Sequence, residues 1–318
     1  MLLQLHHKTH YQYSPPVENA HHVLHLQPIN SASQSVLSHS LQIEPVPHQR
    51  RDMQDVFGNH RTFFSLHRSH PELCVNSHSV VQTHSQAACK PHSSAPWEST
   101  RERYRYRAGS AHDPAWQFVF ASPLAPRGTE FADFALASFT PGRPLFDAAH
   151  DLMQRIHHAM EYDGDATEVD TQPLEALRLG KGVCQDFAHI MVACCRAIGL
   201  PARYVSGYML TQPEPGQPRL IGCDASHAWA SVFCPDVEHL KNGTLKNASD
   251  GEALGQWLDF DPTNNRVPLE DYITLATGRD YLDLSPLRGV IRGGAQHTLS
   301  VAVTVTPVDH ATETLEVF

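Results

Sequence analysis

The spacing of apolar residues changes along this chain of 318 residues, and that change limits the folds open to it. In residues 1–97, apolar and polar residues alternate over short stretches broken by Pro, Ser, Asn and Gly, which is typical of β-strands. Between Leu145 and Met160 the apolar residues recur every three or four positions, as they do on one face of a helix. Later stretches such as SHAWASVF, QWLDFDP and HTLSVAVTV alternate again.

This order of patterns predicts an α+β protein. We expect an N-terminal β-domain at residues 1–97, a connector at 98–140, and a core at 141–318 in which helices pack on an antiparallel sheet. The alternating stretch RERYRYR at 101–107 is interpreted as an exposed strand rather than as a basic stripe that binds nucleic acid.

The charge of the chain argues against two classes of partner. The formal net charge is -10, and both nucleic acids and anionic membranes attract proteins with a basic excess. The first residues lack the apolar centre of a secretory signal, and no apolar run approaches the length of a membrane span. We therefore expect a cytoplasmic protein that binds neither nucleic acid nor membrane.

Cysteine and histidine patterns do not predict a metal or another cofactor. The seven cysteines are odd in number and lack the density of a disulfide scaffold, so they are expected to be reduced. The pairs His6 with His10 and His21 with His25 have the spacing of metal ligands on a helix. Because the surrounding residues alternate like strands, each pair is expected to be about 13 Å apart instead.

One cysteine lies at a position that favours a reactive thiol. The stretch KGVCQDFAHIMVACCRAIGLPARY predicts a helix that ends near Gly199 and Pro201. Cys184 falls in or just before its first turn, where unpaired N–H groups and the helix dipole stabilise negative charge. A thiol at that position is biased towards thiolate, whereas Cys194 and Cys195 are expected to be buried core residues.

Two later strands carry groups that complete a nucleophilic arrangement. In SHAWASVF, His227 and Trp229 share one face, and in QWLDFDP the residues Asp259 and Asp261 share another. If these strands are neighbours, the histidine and a carboxylate lie side by side. A thiolate can then attack a carbonyl while the imidazolium protonates the leaving amine and the carboxylate orients the ring.

The motifs GVCQDFAH, GLPARYVSGY, DASHAW, DPTNN and GRDY together resemble the bacterial transglutaminase-like superfamily, whose core is similar to papain-like cysteine proteases. The residues from His7 to Tyr13 resemble the N-terminal β-domain of that family. The resemblance implies Cys184 as nucleophile, His227 as general acid and base, and Asp261 as the orienting carboxylate. Asp259 is the less favoured alternative to Asp261.

The donors that would stabilise an oxyanion are less defined by the sequence. The backbone N–H of Cys184 is one candidate because of its place at the helix start. Tyr162 is a second candidate, since related enzymes supply an upstream side chain at this place, although an aromatic residue at a helix end is also a common core residue. The direction of the Gln185 side chain cannot be predicted.

Three functions remain open at this point. The first is a thiol enzyme that acts on a peptide or amide substrate and passes the acyl group to water or to an amine. Hydrolysis is favoured, because the candidate aromatic residues near the site, Trp229, Trp257 and Tyr208, do not suggest a channel for an amine. The second is a zinc-binding module that uses Cys184, Cys223 and His227. The third is a scaffold that binds peptides without turnover.

Overall fold

The computed structural model describes residues 1–85, 94–107, 113–211, 226–235 and 255–308. It confirms the predicted α+β class, with two antiparallel sheets and a set of helices among these residues. The first sheet contains seven of the described strands, which are β1 (Leu2–Leu24), β2 (Gln34–Glu44), β3 (Gln49–Gln54), β4 (His60–Leu66), β5 (His70–Thr83), β12 (Leu287–Gly293) and β13 (Gln296–Pro307).

The second sheet consists of β8 (Ala202–Met209), β9 (Ser226–Pro235), β10 (Gly255–Phe260) and β11 (Tyr272–Gly278), in the order β10-β9-β8-β11. Two further strands, β6 (Glu161–Tyr162) and β7 (Lys181–Gly182), form a short parallel pair. The helices are α1 (Trp97–Arg103), α2 (Thr129–Leu136), α3 (Leu145–Ala159), α4 (Pro173–Leu179), α5 (Cys184–Ala197) and α6 (Tyr281–Leu284), with a 3₁₀ helix at Pro114–Val119.

Helix α5 lies at the centre of the core and was predicted correctly. Every residue from Asp186 to Arg196 is buried, and the helix packs with α3 against one face of β8, β9 and β10. The buried guanidinium of Arg196 on this helix donates to the carbonyls of Ala202 and Arg279 and to the hydroxyl of Ser122. Cys194 and Cys195 are fully buried, as expected.

Two sequence predictions about strands are wrong. The strand in HTLSVAVTV forms, but β13 and its neighbour β12 pair with β1 in the first sheet instead of joining the sheet of the core. The stretch at 101–107 is not a strand, because its first residues belong to α1. The buried residues Trp97, Thr100 and Tyr104 recur at helical spacing, and the Tyr104 hydroxyl donates to Asp113.

The histidines of the two pairs that have the spacing of helical metal ligands lie beside different neighbours. His6 stacks on His78 of the adjacent strand, whereas His10 lies 2.9 Å from a carboxylate oxygen of Glu72. His21 stacks on Phe63, and His25 lies beside the backbone carbonyl of Ser285. Within the residues that the structure describes, no three ligating side chains are grouped to hold a metal ion.

The two sheets share a hydrophobic cluster. Leu3 and Leu5 of β1 pack in one cluster with Tyr208 of β8 and Ile273 of β11. The buried imidazole of His7 lies within this contact, with Nδ1 at 2.8 Å from the Tyr208 hydroxyl. Burial is the main reason that the pKa of His7 is lowered to about 4, so this link between the sheets is made by a neutral imidazole at neutral pH.

Side-chain amides of the first sheet region bind the edge strand of the second. Gln34 accepts from the N–H of Thr274 and donates to its carbonyl, both at 2.7 Å. Asn59 makes the same pair of bonds with Thr277, both at 2.8 Å. Each amide therefore satisfies backbone groups of β11 that an additional strand would otherwise satisfy.

Asn59→Ala is expected to destabilise the protein by about 2–4 kcal/mol, because it leaves the buried N–H and carbonyl of Thr277 without partners. The measurement is the free energy of unfolding from urea denaturation. The matched control is Asn30→Ala, since Asn30 is exposed and accepts a single bond from the N–H of Val36. Equal losses for the two variants would contradict the importance of the amide contact with β11.

Candidate active site

The start of α5 is built to hold Cys184 in a fixed position. Asp186 accepts hydrogen bonds from the N–H of Val183 at 2.8 Å and from the Thr167 hydroxyl at 2.7 Å. A side chain at Gly182 would collide with this carboxylate, because an added Cβ would lie 2.5 Å from its oxygen. The sequence KGVC therefore places a glycine where the backbone passes Asp186, and the thiol follows at the first helical residue.

His227 and Asp261 form a buried ion pair beside Cys184. The Nε2–H of His227 donates to Oδ2 of Asp261 at 2.7 Å, and the two side chains are 10% and 0% exposed. Burial alone would lower the pKa of His227, but its interactions with Asp261 and Cys184 raise it to about 10. The imidazole is thus protonated at neutral pH, and its positive charge lies next to the thiol.

Protein groups, in place of water, donate hydrogen bonds to both oxygens of the Asp261 carboxylate. Its Oδ1 accepts from the backbone N–H groups of Thr263 and Asn264 at 3.0 and 3.2 Å. Its Oδ2 accepts from the Asn264 amide and from the Tyr272 hydroxyl, both at 2.7 Å, in addition to His227. Although burial opposes ionisation, these bonds and the charge of His227 hold the pKa of Asp261 below its usual value.

The structure brings together the three residues that the sequence singled out, and it separates them from Asp259. Asp259 lies opposite Ser231 in the ladder of β9 and β10, and Ser231 lies opposite Arg203 of β8. Burial raises the pKa of Asp259, while the charge of Arg203 opposes that rise. Asp259 is therefore engaged in a separate buried contact and does not contact His227.

Tyr162 lies near Cys184 and is not a core residue. The short pair of β6 and β7 sets Tyr162 directly opposite Gly182, two residues before Cys184. Its ring is 61% exposed, and partial burial together with the charge of Cys184 raises the pKa of its hydroxyl. The backbone N–H of Cys184 has no acceptor within the helix, because Cys184 is the first helical residue.

The side chain of Gln185 points to the loop between β6 and α4. Its amide donates to the carbonyl of Val169 at 2.8 Å. Thr167 of the same loop donates to Asp186, so two consecutive residues after Cys184 hold this loop beside the helix start. Gln185 therefore fixes one wall of the site and is not directed at the thiol.

The three aromatic residues named from the sequence do not form a channel among the described residues. Trp229 is fully buried beneath His227, with its ring centroid 6.1 Å from the imidazole. Tyr208 is fully buried against His7, and Trp257 packs on Phe233 at 5.1 Å between ring centroids. Cys223, part of the zinc alternative, and residues 236–254 between the strands of His227 and Asp261 lie outside the described residues.

Sequence reasoning missed two groups that contact the carboxylate. Asn264 donates to Asp261 and also has its amide nitrogen 3.2 Å from Nε2 of His227. Its position in the DPTNN turn, three residues after Asp261, was a usable signal. Tyr272 lies eleven residues after Asp261 on another strand, and no local pattern marks its role.

The chain is similar to a family of known proteins along most of its length. Residues 3–82 match the bacterial transglutaminase-like N-terminal region, and residues 135–262 match the transglutaminase-like superfamily. Uncharacterized proteins of Mycobacterium tuberculosis and Mycobacterium bovis are each 36% identical to the chain over 308 residues, which is 95% of this chain and 92% of theirs. An uncharacterized Mycobacterium leprae protein is 29% identical over 303 residues, covering 94% of this chain and 96% of its own.

A solved structure has a similar fold. The crystal structure of a candidate cysteine protease from Cytophaga hutchinsonii aligns with a TM-score of 0.68 and 20% identity, covering 97% of this chain and 92% of that chain. No helix among the described residues is long and apolar enough to cross a membrane. The match at residues 135–262 contains Cys184, His227 and Asp261. The chain belongs to the transglutaminase-like superfamily.

Proposed function

We propose that this protein is a thiol enzyme that forms an acyl-enzyme at the carbonyl of a peptide or amide and passes the acyl group mainly to water. The observation that carries the proposal is the His227 imidazole, which contacts Cys184 and donates to the buried carboxylate of Asp261, and whose pKa these two groups raise. A protonated imidazole at this place stabilises a thiolate next to it and can protonate a leaving amine.

In the first half of the proposed reaction, the sulfur of Cys184 forms a bond to the substrate carbonyl carbon. The carbonyl oxygen becomes negative, and the backbone N–H of Cys184 is positioned to donate to it. The exposed hydroxyl of Tyr162 is the candidate second donor. As the C–N bond breaks, His227 gives its proton to the departing nitrogen, and a thioester remains.

In the second half, water attacks the thioester. Neutral His227 takes a proton from the water as the new C–O bond forms, and the C–S bond then breaks. The thiolate and the imidazolium are restored, and the product is a carboxylic acid. Since Nε2 of His227 faces Asp261, the other ring nitrogen, Nδ1, is the one that exchanges protons with substrate and water.

An amine that replaces this water would make the protein a transglutaminase. That alternative needs a surface that binds the amine and keeps water away from the thioester. Trp229 and Tyr208, which are candidates for such a surface, are buried and packed on other side chains. Hydrolysis is therefore favoured over amine transfer, while a role as a peptide-binding or zinc-binding module is the further alternative.

Cys184 is expected to react with iodoacetamide at about pH 6 at least tenfold faster than an ordinary thiol, because the His227 charge favours its thiolate. Cys74 serves as the internal control, since it is also a free, half-buried cysteine. The rates are measured by mass spectrometry of labelled peptides in the presence of EDTA. Equal rates for the two thiols, or fast labelling of Cys184 in His227→Ala, would contradict the proposed pair.

Substitutions should separate the three roles. Cys184→Ala and His227→Ala are each expected to lower kcat on an amide substrate by on the order of 10⁶-fold, because the two groups act as a unit. Asp261→Asn is expected to be milder, on the order of 10⁴-fold, since it keeps a hydrogen-bonding side chain but loses the charge. Steady-state kinetics on purified, folded protein provides the measurement.

The control for these substitutions is Asp259→Asn. Asp259 is two residues from Asp261 but lies beside Arg203, so its substitution is expected to lower the free energy of unfolding and to leave kcat nearly unchanged. A loss of kcat in Asp259→Asn together with an active Asp261→Asn would transfer the orienting role to Asp259.

Product analysis should show mainly acid rather than amide. A peptide substrate is incubated with and without a millimolar primary amine, and both products are quantified by mass spectrometry. Hydrolysis is expected to predominate, because the candidate aromatic residues Trp229 and Tyr208 are buried and packed on other side chains, where they cannot hold an amine. Predominant incorporation of the amine would identify the protein as a transferase and leave the roles of Cys184, His227 and Asp261 intact.

A further inference from the structure

We propose that Tyr272 is a positioning residue that fixes the Asp261 carboxylate and limits how much of its negative charge acts on His227. The inference rests on the proposed thiol chemistry of Cys184 and His227. It also gives the N-terminal β-domain a part in that chemistry, because side chains of this domain hold the strand that carries Tyr272.

Three hydrogen-bond donors crowd one oxygen of Asp261. Oδ2 of Asp261 accepts from His227, Asn264 and Tyr272, each at 2.7 Å. A carboxylate oxygen has about two lone-pair directions, so three donors must share them. Each additional donor interacts with the negative charge of this oxygen and so weakens its attraction for the imidazolium.

The donors to Asp261 come from different parts of the fold. Thr263 and Asn264 belong to the same turn as Asp261 and therefore move with it. Tyr272 begins β11 on the opposite edge of the sheet from β10 and reaches the carboxylate from another element. Its hydroxyl thus ties the turn of Asp261 to the body of the sheet.

Tyr272 itself is firmly held by its neighbours. The residue is 5% exposed, and its ring packs edge-on against Trp229 with 5.3 Å between centroids. Two residues along β11, the N–H and carbonyl of Thr274 are bound by the amide of Gln34. A continuous set of bonds therefore runs from Gln34 of the β-domain through β11 to Asp261.

Among the described residues, few charged groups surround the contact between Tyr272 and Asp261. His227 faces Asp261 from β9, and Cys184 faces His227 from α5. The guanidinium of Arg266 lies over the Tyr272 ring at 5.2 Å and pairs with Asp271 at 2.9 Å. Burial first, and then the charge and hydrogen bond of Asp261, raise the pKa of Tyr272, so its hydroxyl stays a donor across the working pH range.

Tyr272→Phe tests the proposal by removing only the hydroxyl. With less of its charge shared, Asp261 should stabilise the imidazolium more strongly, so the pKa of His227 is expected to rise by roughly half a unit to one unit. That pKa is measured by NMR of the labelled imidazole in the Cys184→Ala background, where no turnover is needed. In the protein with Cys184, kcat should fall about tenfold at unchanged KM, since the imidazolium becomes a weaker acid and the carboxylate is less fixed.

Tyr104→Phe is the matched control, because the Tyr104 hydroxyl also donates to a buried carboxylate, that of Asp113, at 2.8 Å. It is expected to cost similar stability without moving the pKa of His227 or kcat. Incorporation of 3-fluorotyrosine at position 272 provides an opposite test that preserves the shape of the side chain. As a stronger donor, it should lower the pKa of His227.

The outcomes separate this inference from the proposed function. An unchanged or lowered pKa of His227 in Tyr272→Phe, or no lowering with 3-fluorotyrosine, would overturn the role of Tyr272 and leave the chemistry of Cys184 untouched. If Tyr272→Phe does not fold, the pKa of His227 in the protein with 3-fluorotyrosine at position 272 tests the proposal by itself. A protein that hydrolyses no amide would refute the proposed function, whereas the NMR titration would still report whether Tyr272 controls the Asp261–His227 pair.

Discussion

Burying the negative charge of Asp261 is the requirement on which the site depends. A fully buried carboxylate is costly unless protein groups replace the lost water. Here two backbone N–H groups, one amide, one hydroxyl and the His227 imidazolium take that place. The tight DPTNN turn, the closeness of β9 and β10, and the position of Tyr272 on β11 can all be understood as ways to bring these donors to one side chain.

The support of the Asp261 carboxylate also links the two sheets. The edge of β11 would leave N–H and carbonyl groups exposed to water, but the amides of Gln34 and Asn59 bind them from the first sheet region. Cys184 packs against a cluster that includes Leu3 and Leu5 of β1. The N-terminal sheet therefore contributes both to the packing behind Cys184 and to the support of the Asp261 carboxylate, so it is part of the site's framework.

The sequence predicted what short-range spacing determines. Helix α5, the position of Cys184 at its start, strand β9 with His227, and strand β10, which ends one residue before Asp261, all follow from apolar periodicity and turn residues within a few positions. The pairing of β13 with β1 could not be predicted, because register between segments almost 300 residues apart leaves no local pattern. The contact of Tyr272 with Asp261 was missed because it also depends on the placement of separate strands and leaves no local pattern. The alternation at 101–107 was misleading because buried Tyr104 completes a helical face.

A balance of charge explains why so many donors surround a single carboxylate. In the proposed reaction, the imidazolium of His227 must be stable enough to favour a thiolate at Cys184, yet acidic enough to release its proton to a leaving amine. A carboxylate that gave its full charge to the ring would strengthen the first property and weaken the second. Asn264 and Tyr272 bind the same oxygen as His227, and in our proposal they fix the carboxylate and divide its charge. Rigidity and acidity of the pair are therefore set by the same hydrogen bonds.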